Sequence, residues 1–178
     1  MKIKVKENIP VIVERHPYYE SINKKLMEQV NSLSFRKTDQ YDVTNIRGST
    51  YTLGDAKNPT IKLIKDWIKE LIAINIYRHP TLPLSNFEFW FARLNEEKGQ
   101  LTWDHDHLLN STLSAVYFVN TPKGSSPLVL TTTGRKIKAE EGKLVIFPAS
   151  LRHKVPQNRC KNRITLACNI KFGSLQVW

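Results

Sequence analysis

Five short apolar or β-branched segments follow one another in the second half of the chain. The predicted strands cover residues 87–94, 112–119, 127–132, 143–147 and 164–172. Turn residues separate them at Pro122-Lys-Gly124, Thr133-Gly134 and Glu141-Gly142. Short strands at such close spacing predict a β-barrel or a β-sandwich.

The first half of the chain has helical patterns instead. Ile22, Leu26, Val30 and Leu33 recur at helical spacing after Pro17, which suits a first helical residue. A second apolar stripe follows the cap pair Asn58-Pro59; it contains Ile61, Ile64, Ile68, Leu71 and Ile72, and it runs to about residue 77, before His79-Pro80. Residues 3–13 predict a short strand, and residues 38–55 predict a loop with at most short strands. The expected fold class is therefore α+β and mainly β, with two helices packed on one outer face.

The length of 178 residues suits one domain with a buried core. We expect residues 1–178 to form it, with a helical support region at 1–85 and the β core at 86–172. No apolar run approaches the roughly 18 residues of a membrane span, and the N-terminus shows no signal-peptide pattern. Cys160 and Cys168 are the only cysteines, a number that suits a reducing, cytoplasmic setting.

The chain is basic. Lysine and arginine number 27 against 16 acidic residues, which gives a formal net charge of +11. The excess could attract an anionic substrate or partner. The basic residues are scattered, however, and the sequence has no nucleic-acid-binding motif, zinc-finger spacing or glycine-rich phosphate loop, which argues against a dedicated nucleic-acid-binding module.

Two of the five histidines, His105 and His107, lie one residue apart. In an extended segment they share a face, about 6.6 Å apart along the chain, so both can reach one metal ion while Asp106 points away. A third ligand must come from elsewhere, and the candidates are His153, His79 and His16. His153 follows a glycine turn and an apolar strand, where a rigid scaffold can present it. His16 and His79 each precede a proline at a helix boundary, which indicates a structural role.

These motifs resemble two related families. Gly99 with His105-x-His107, and Gly142 with Pro148 and His153, resemble the two halves of the cupin motif. The cupin glutamate after His107 is missing, and Ser150 replaces a glycine. The order of motifs between residues 89 and 169 is more similar to the iron(II)- and 2-oxoglutarate-dependent oxygenase superfamily, in its prolyl-hydroxylase-like phage and bacterial branch. The matching segments are His105-x-His107, Leu113-Ser-Ala-Val-Tyr-Phe118, Pro122-Lys-Gly-Ser125, Gly142 to Val155, and Arg163-Ile-Thr-Leu-Ala-Cys-Asn169.

The second resemblance implies a double-stranded β-helix, a jelly-roll barrel that holds iron(II) in its mouth. The implied activity is a dioxygenase that consumes 2-oxoglutarate and O2, releases succinate and CO2, and hydroxylates a peptide or protein side chain or a small molecule. The implied metal ligands are His105, His107 and His153. The usual third ligand is a carboxylate, so Asp104 or Asp106 stays open as an alternative to His107, and three histidines select iron over zinc less strongly.

The resemblance also implies a cosubstrate site. Arg163 stands ten residues after His153, where the superfamily places the cation for the distal carboxylate of 2-oxoglutarate, and a guanidinium pairs well with a carboxylate. Thr165, on the same strand face, and Tyr117 are expected to add hydrogen bonds. Arg93 shares a face with Phe91 and Asn95, and it either contacts substrate or cosubstrate at the barrel mouth or is solvated.

Two other interpretations stay open at the sequence level. One is a cupin-like enzyme that uses zinc, iron or manganese for different chemistry. The other is a non-catalytic barrel that binds a metal or ligand. Neither the sequence nor the resemblance identifies the primary substrate.

Overall fold

The computed structural model describes residues 9–37, 42–44, 58–78, 85–96, 104–109 and 111–172. Its helices are α1 (Tyr19–Ser32) and α2 (Pro59–Ile72), and α2 continues as a π-helical turn (Ala73–Tyr77). Its strands are β1 (Ile12–Arg15), β2 (Phe35–Lys37), β3 (Asp42–Thr44), β4 (Ser85–Leu94), β5 (Leu113–Asn120), β6 (Leu128–Leu130), β7 (Arg135–Ile137), β8 (Lys143–Pro148), β9 (His153–Lys154) and β10 (Arg163–Phe172). His79 and most of residues 38–55 lie outside the described part of the chain.

Helix α2 begins where the sequence predicts. The Asn58 side chain accepts a hydrogen bond from the backbone N–H of Ile61 at 3.1 Å, and Pro59 occupies the first helical position. This cap satisfies one of the free N–H groups at the helix start. Of the predicted stripe, Ile61, Ile64, Ile68 and Ile72 are buried and Leu71 is partly buried; Thr60, outside the stripe, is buried as well.

The strands form two antiparallel sheets, and the large one carries both helices. Its order is β1-β8-β5-β10-β4-β3-β2. Alternate residues of β4, β5, β8 and β10 form a core with the helices; among them are Phe89, Phe91, Tyr117, Ile146, Leu166 and Ile170. The expectation of two helices on one outer face is confirmed. The first 85 residues also supply β1, β2 and β3 to this sheet, so that region is not purely helical.

The small sheet has the order β7-β6-β9 and packs against the other face of the large sheet. A second core fills the space between the sheets; it contains Phe118, Leu128, Leu130, Ile137, Val145, Phe147 and Leu151. The described residues thus form two facing sheets and show no closed barrel. The sequence analysis did not predict β7 and β9, because β7 alternates weakly and β9 has two residues.

Gly142 ties the large sheet to the start of α1. Its φ is +77°, and an added Cβ would lie 2.1 Å from the Cβ of Tyr19. Its N–H donates to the carbonyl of Phe118 at 2.9 Å, and its carbonyl accepts from the N–H of His16 at 3.0 Å. Only glycine fits this conformation and this contact.

Cys160 and Cys168 are both free and buried. Within the described part of the chain, neither helix has the length and apolar character that crossing a membrane requires.

Candidate metal centre

Three histidines converge at one end of the space between the sheets. The atoms of His105, His107 and His153 that can bind a metal all lie within 4.8 Å of one another. The ring centroids of His105 and His153 are 4.4 Å apart, and that of His107 lies 5.1 and 5.2 Å from them. The structure therefore brings together the three histidines singled out from the sequence.

Backbone pairing places two of these side chains opposite each other. The N–H of His105 donates to the carbonyl of His153 at 3.1 Å, and the N–H of His153 donates back at 2.8 Å. The N–H of His107 donates to the carbonyl of Ala149 at 2.9 Å. Residues 105–107 are thus extended along the segment that carries His153, as the i, i+2 spacing predicted.

Two of the three imidazoles are held in the form that a metal needs. Burial, with a smaller contribution from the neighbouring histidines, lowers the pKa of His107 and that of His153 to about 4. Both rings are therefore neutral at pH 7 and can coordinate without losing a proton. His153 Nδ1 lies 3.0 Å from the carbonyl of Leu151. Since a carbonyl can only accept, Nδ1 carries the proton and Nε2 keeps its lone pair for a metal.

The two neighbouring aspartates point away from the cluster and have other partners. Thr131 and Arg152 donate hydrogen bonds to Asp104, and these bonds lower the pKa of its carboxyl group. Asp106 accepts from the backbone N–H of Leu108 at 3.2 Å. Of the two alternatives left by the sequence, the geometry favours His107 over either aspartate.

Arg163 is fully buried between the sheets. Its Nε donates to the carbonyl of Ser126 at 3.1 Å, and its Cζ lies 5.3 Å from the ring centroid of Phe118. Of the buried side-chain nitrogen and oxygen atoms in the described residues, Arg163 Nη2 is the one without a hydrogen-bond partner. Burial lowers its pKa from the usual value to about 10, so the cation persists at pH 7. An unpaired buried cation is the feature that an anionic ligand would satisfy.

A residue that the sequence analysis missed, Asn158, supports Arg163 indirectly, through the backbone of Ser126. Asn158 has no exposed surface. It accepts from the N–H of Ser126 at 3.0 Å and donates to the carbonyls of Cys160 and Leu94 at 2.6 and 3.2 Å. These bonds fix the Ser126 carbonyl that binds Arg163. An asparagine in a polar loop gives no sequence signal for this role.

A partly open row of side chains crosses the inner face of the large sheet. Trp90, Ala167 and Val116 are direct neighbours on β4, β10 and β5, and all three are half-buried. Thr165 and its neighbours Ala92 and Phe118, on the adjoining row, are buried. The indole of Trp90 lies 6.4 Å from the His107 ring. The row therefore lies beside the histidines, on the face of the large sheet that borders the space between the two sheets, here called the cleft.

Two predicted site residues lie on the other face of the large sheet. Tyr117 packs in the helix-facing core, where its hydroxyl donates to the side-chain oxygen of Asn23 at 2.7 Å. The guanidinium of Arg93 lies 4.1 Å from the ring centroid of Phe35. Successive residues of a strand point to opposite faces, so Arg163 and Thr165 face the cleft, whereas Tyr117 and Arg93 do not. The expected cosubstrate contact of Tyr117 and the expected substrate contact of Arg93 stay predictions, and the position of both side chains on the helix-facing side of the sheet argues against them.

His16, a weaker candidate, is also outside the cluster. Its Nδ1 accepts from the backbone N–H of Tyr18 at 3.1 Å, and its ring packs edge-on against Trp67 at 4.8 Å. Both contacts are structural.

The sequence matches no protein-family model and no curated protein. Solved structures do resemble the fold. A viral collagen prolyl hydroxylase from Paramecium Bursaria Chlorella virus-1 superposes with a TM-score of 0.68 at 12% identity, over 92% of this chain and 90% of that one. A prolyl-4-hydroxylase from Pseudomonas putida gives 0.63 at 16% identity, over 94% and 95%. HygX from Streptomyces hygroscopicus, solved with nickel and 2-oxoglutarate bound, gives 0.63 at 10% identity, over 96% and 85%. The chain thus has the fold of prolyl hydroxylases and related 2-oxoglutarate oxygenases.

Proposed function

We propose that this protein is an iron(II)- and 2-oxoglutarate-dependent dioxygenase that hydroxylates a peptide or protein side chain or a small molecule. The observation that carries the proposal is the presence, between the same two sheets, of a three-histidine cluster and a buried arginine with an unpaired nitrogen. The fold likeness supports it, because the similar proteins include 2-oxoglutarate oxygenases. We further propose that residues 1–178 form one domain with a double-stranded β-helix, whose halves are the two facing sheets.

His105, His107 and His153 would hold the metal. Three neutral nitrogen donors suit a divalent first-row ion such as iron(II), and three protein ligands leave positions open for other molecules. Bound iron(II) supplies the activation of O2, coupled to the conversion of 2-oxoglutarate to succinate and CO2.

Arg163 would hold the distal carboxylate of 2-oxoglutarate. Its free Nη2 offers N–H donors to an anion, and Phe118 and Ser126 fix the guanidinium. Thr165 lies on the same face of β10, two residues along, and its hydroxyl would add a hydrogen bond. A charge-assisted bond in a buried site is about twice as strong as a neutral one.

The row of Trp90, Ala167 and Val116 would receive the substrate. Its apolar side chains would exclude water beside the metal, which would protect a reactive site from unproductive chemistry. Prolyl peptides are the first substrates to test, because two of the similar structures are prolyl hydroxylases.

The test is aerobic turnover with iron(II), 2-oxoglutarate and a set of prolyl peptides. We expect succinate to form and a peptide to gain the mass of one oxygen atom. His153→Ala should abolish both products, while His16→Ala, the matched control outside the cluster, should retain them. Equal succinate formation by the wild type and His153→Ala would refute the proposal. Tight zinc binding without any 2-oxoglutarate binding would favour the cupin-like alternative.

A further inference from the structure

Three polar side chains tie together the segments that carry His105 and His153, on the side away from the metal cluster. We infer that Asp104, Thr131 and Arg152, here called the outer clamp, position these two histidines and keep the neighbouring carboxylates off the metal. The inference rests on the proposed metal centre and adds residues that touch neither metal nor cosubstrate.

The histidine pair has little support of its own. His105 belongs to an isolated bridge with His153, and β9 has only two residues. Two backbone hydrogen bonds join His105 and His153 directly, a third joins His107 to Ala149, and His153 also pairs with Leu130 of β6. Such a short pairing is marginal without further contacts, so the ligand spacing depends on what lies around it.

The outer clamp supplies those contacts. Arg152 Nε donates to one carboxylate oxygen of Asp104 at 3.0 Å, and Arg152 Nη2 donates to the backbone carbonyl of Asp104 at 2.7 Å. The Thr131 hydroxyl donates to the other carboxylate oxygen at 2.5 Å, and the Thr131 N–H donates to the Arg152 carbonyl at 2.8 Å. Asp104 and Arg152 each directly precede a histidine of the pair. The rigid guanidinium fork therefore fixes the position of one ligand-bearing segment against the other.

The carboxylates of Asp104 and Asp106 have hydrogen-bond or ionic partners other than a metal. Both carboxylate oxygens of Asp104 accept hydrogen bonds from the clamp. Asp106 accepts from Leu108, and its second oxygen lies 3.9 Å from Arg152 Nη1. Arg152 thus holds Asp104 and lies near Asp106 on the outer side, which leaves the three histidine nitrogens as the ligands of the metal.

The clamp is a positioning device more than a source of stability. The Arg152 side chain is 53% exposed and that of Asp104 is 33% exposed, and ion pairs at such sites contribute little to folding. Residues that orient metal ligands, by contrast, typically change metal affinity about 10- to 100-fold when they are replaced.

The test is a cobalt(II) titration of the metal-free protein, followed by the visible cobalt spectrum. Asp104→Ala and Arg152→Ala should each weaken cobalt binding about 10- to 100-fold. The double variant should bind no more weakly than the weaker single variant, because the two residues act as one unit. Arg152→Lys, which keeps the charge but loses the fork, should give an intermediate affinity. Arg135→Ala is the matched control, since Arg135 is an exposed arginine on the small sheet outside the clamp.

The thermal midpoint of the metal-free variants should stay within a few degrees of the wild type, which separates positioning from folding. Wild-type affinity in both single variants, with cobalt bound normally by the wild type, would overturn the inference alone. Losses that multiply in the double variant would also overturn it. Failure of the wild type to bind cobalt would instead refute the metal centre on which the inference rests.

Discussion

Replacement of Arg163 by methionine should separate two effects of the buried cation: its cost to the free energy of unfolding and its contribution to 2-oxoglutarate binding. Arg163 is 1% exposed, and its Nη2 has no hydrogen-bond partner. Burial lowers its pKa to about 10, and this fall corresponds to about 3 kcal/mol of free energy that opposes the buried charge. An anion that pairs with the guanidinium can recover much of this energy.

Arg163→Met should change the free energy of unfolding little and weaken 2-oxoglutarate binding strongly. Without 2-oxoglutarate, the variant loses the bond to the Ser126 carbonyl, which costs about 1–3 kcal/mol, but it is relieved of the uncompensated charge. Its free energy of unfolding should therefore stay within about 2 kcal/mol of the wild-type value. By comparison, the loss of a buried arginine that is paired with an anion costs about 3–5 kcal/mol. With 2-oxoglutarate, the affinity should fall about 100-fold, which is what about 3 kcal/mol represents.

The assay is urea unfolding of the metal-free protein, combined with calorimetric titration of 2-oxoglutarate into the manganese-loaded protein under anaerobic conditions. Arg135→Met, an exposed arginine on β7, is the control and should change neither quantity. A loss of 3–5 kcal/mol in metal-free Arg163→Met would mean that the guanidinium is already paired in the ligand-free protein. Unchanged affinity for 2-oxoglutarate would refute its role as the carboxylate-binding cation.

Two further substitutions test the arrangement of the sheet faces and turns. Tyr117→Phe should lower the free energy of unfolding by about 1–2 kcal/mol, because the side-chain oxygen of Asn23 loses its buried hydrogen-bond donor. Calorimetry should show unchanged affinity for 2-oxoglutarate. Weaker 2-oxoglutarate binding would mean that Tyr117 reaches the cleft. Gly142→Ala should cost about 3 kcal/mol or more in urea unfolding, because the new Cβ meets Tyr19 at a positive φ. Gly134→Ala, at φ +71° with open space around it, should cost only about 1 kcal/mol, and equal losses at the two glycines would contradict the close contact.

The His105–His107 half of the cluster was predictable because its geometry is local: the two residues share a face by simple alternation. His153 was a candidate because a turn and an apolar strand precede it, but its choice as the third ligand also rested on the resemblance to the oxygenase superfamily. Helix α2 was predictable from neighbouring residues alone, since Asn58-Pro59 is a start signal and the isoleucines repeat with the helical period.

Tyr117 shows where sequence reasoning stops. Strand β5 is buried on both faces, with the pattern Leu-Ser-Ala-Val-Tyr-Phe-Val, so apolar residues occupy both sets of alternate positions. A strand in the middle of a layered sheet has no polar face to reveal its orientation. The side on which Tyr117 lies depends on register with β8 and β10, which are distant in sequence.

Trp90 and the outer clamp were missed for a related reason. Trp90 lies between Phe89 and Phe91 in a run of three aromatic residues. The sequence therefore does not show which of them face the cleft and which face the helices; only the packed sheet does. The link between Asp104 and Arg152 spans 48 residues, and neither side chain stands in a pattern that pairs it with the other.

An anaerobic titration of the metal-free protein with iron(II) and then 2-oxoglutarate tests the central claim most directly. Chelation of the keto acid by iron gives a visible charge-transfer band, so the band reports metal and cosubstrate in one site. We predict that the band grows and saturates in the wild type and is absent in His107→Ala. No band in the wild type, with zinc bound tightly instead, would contradict an oxygenase site built on His105, His107 and His153.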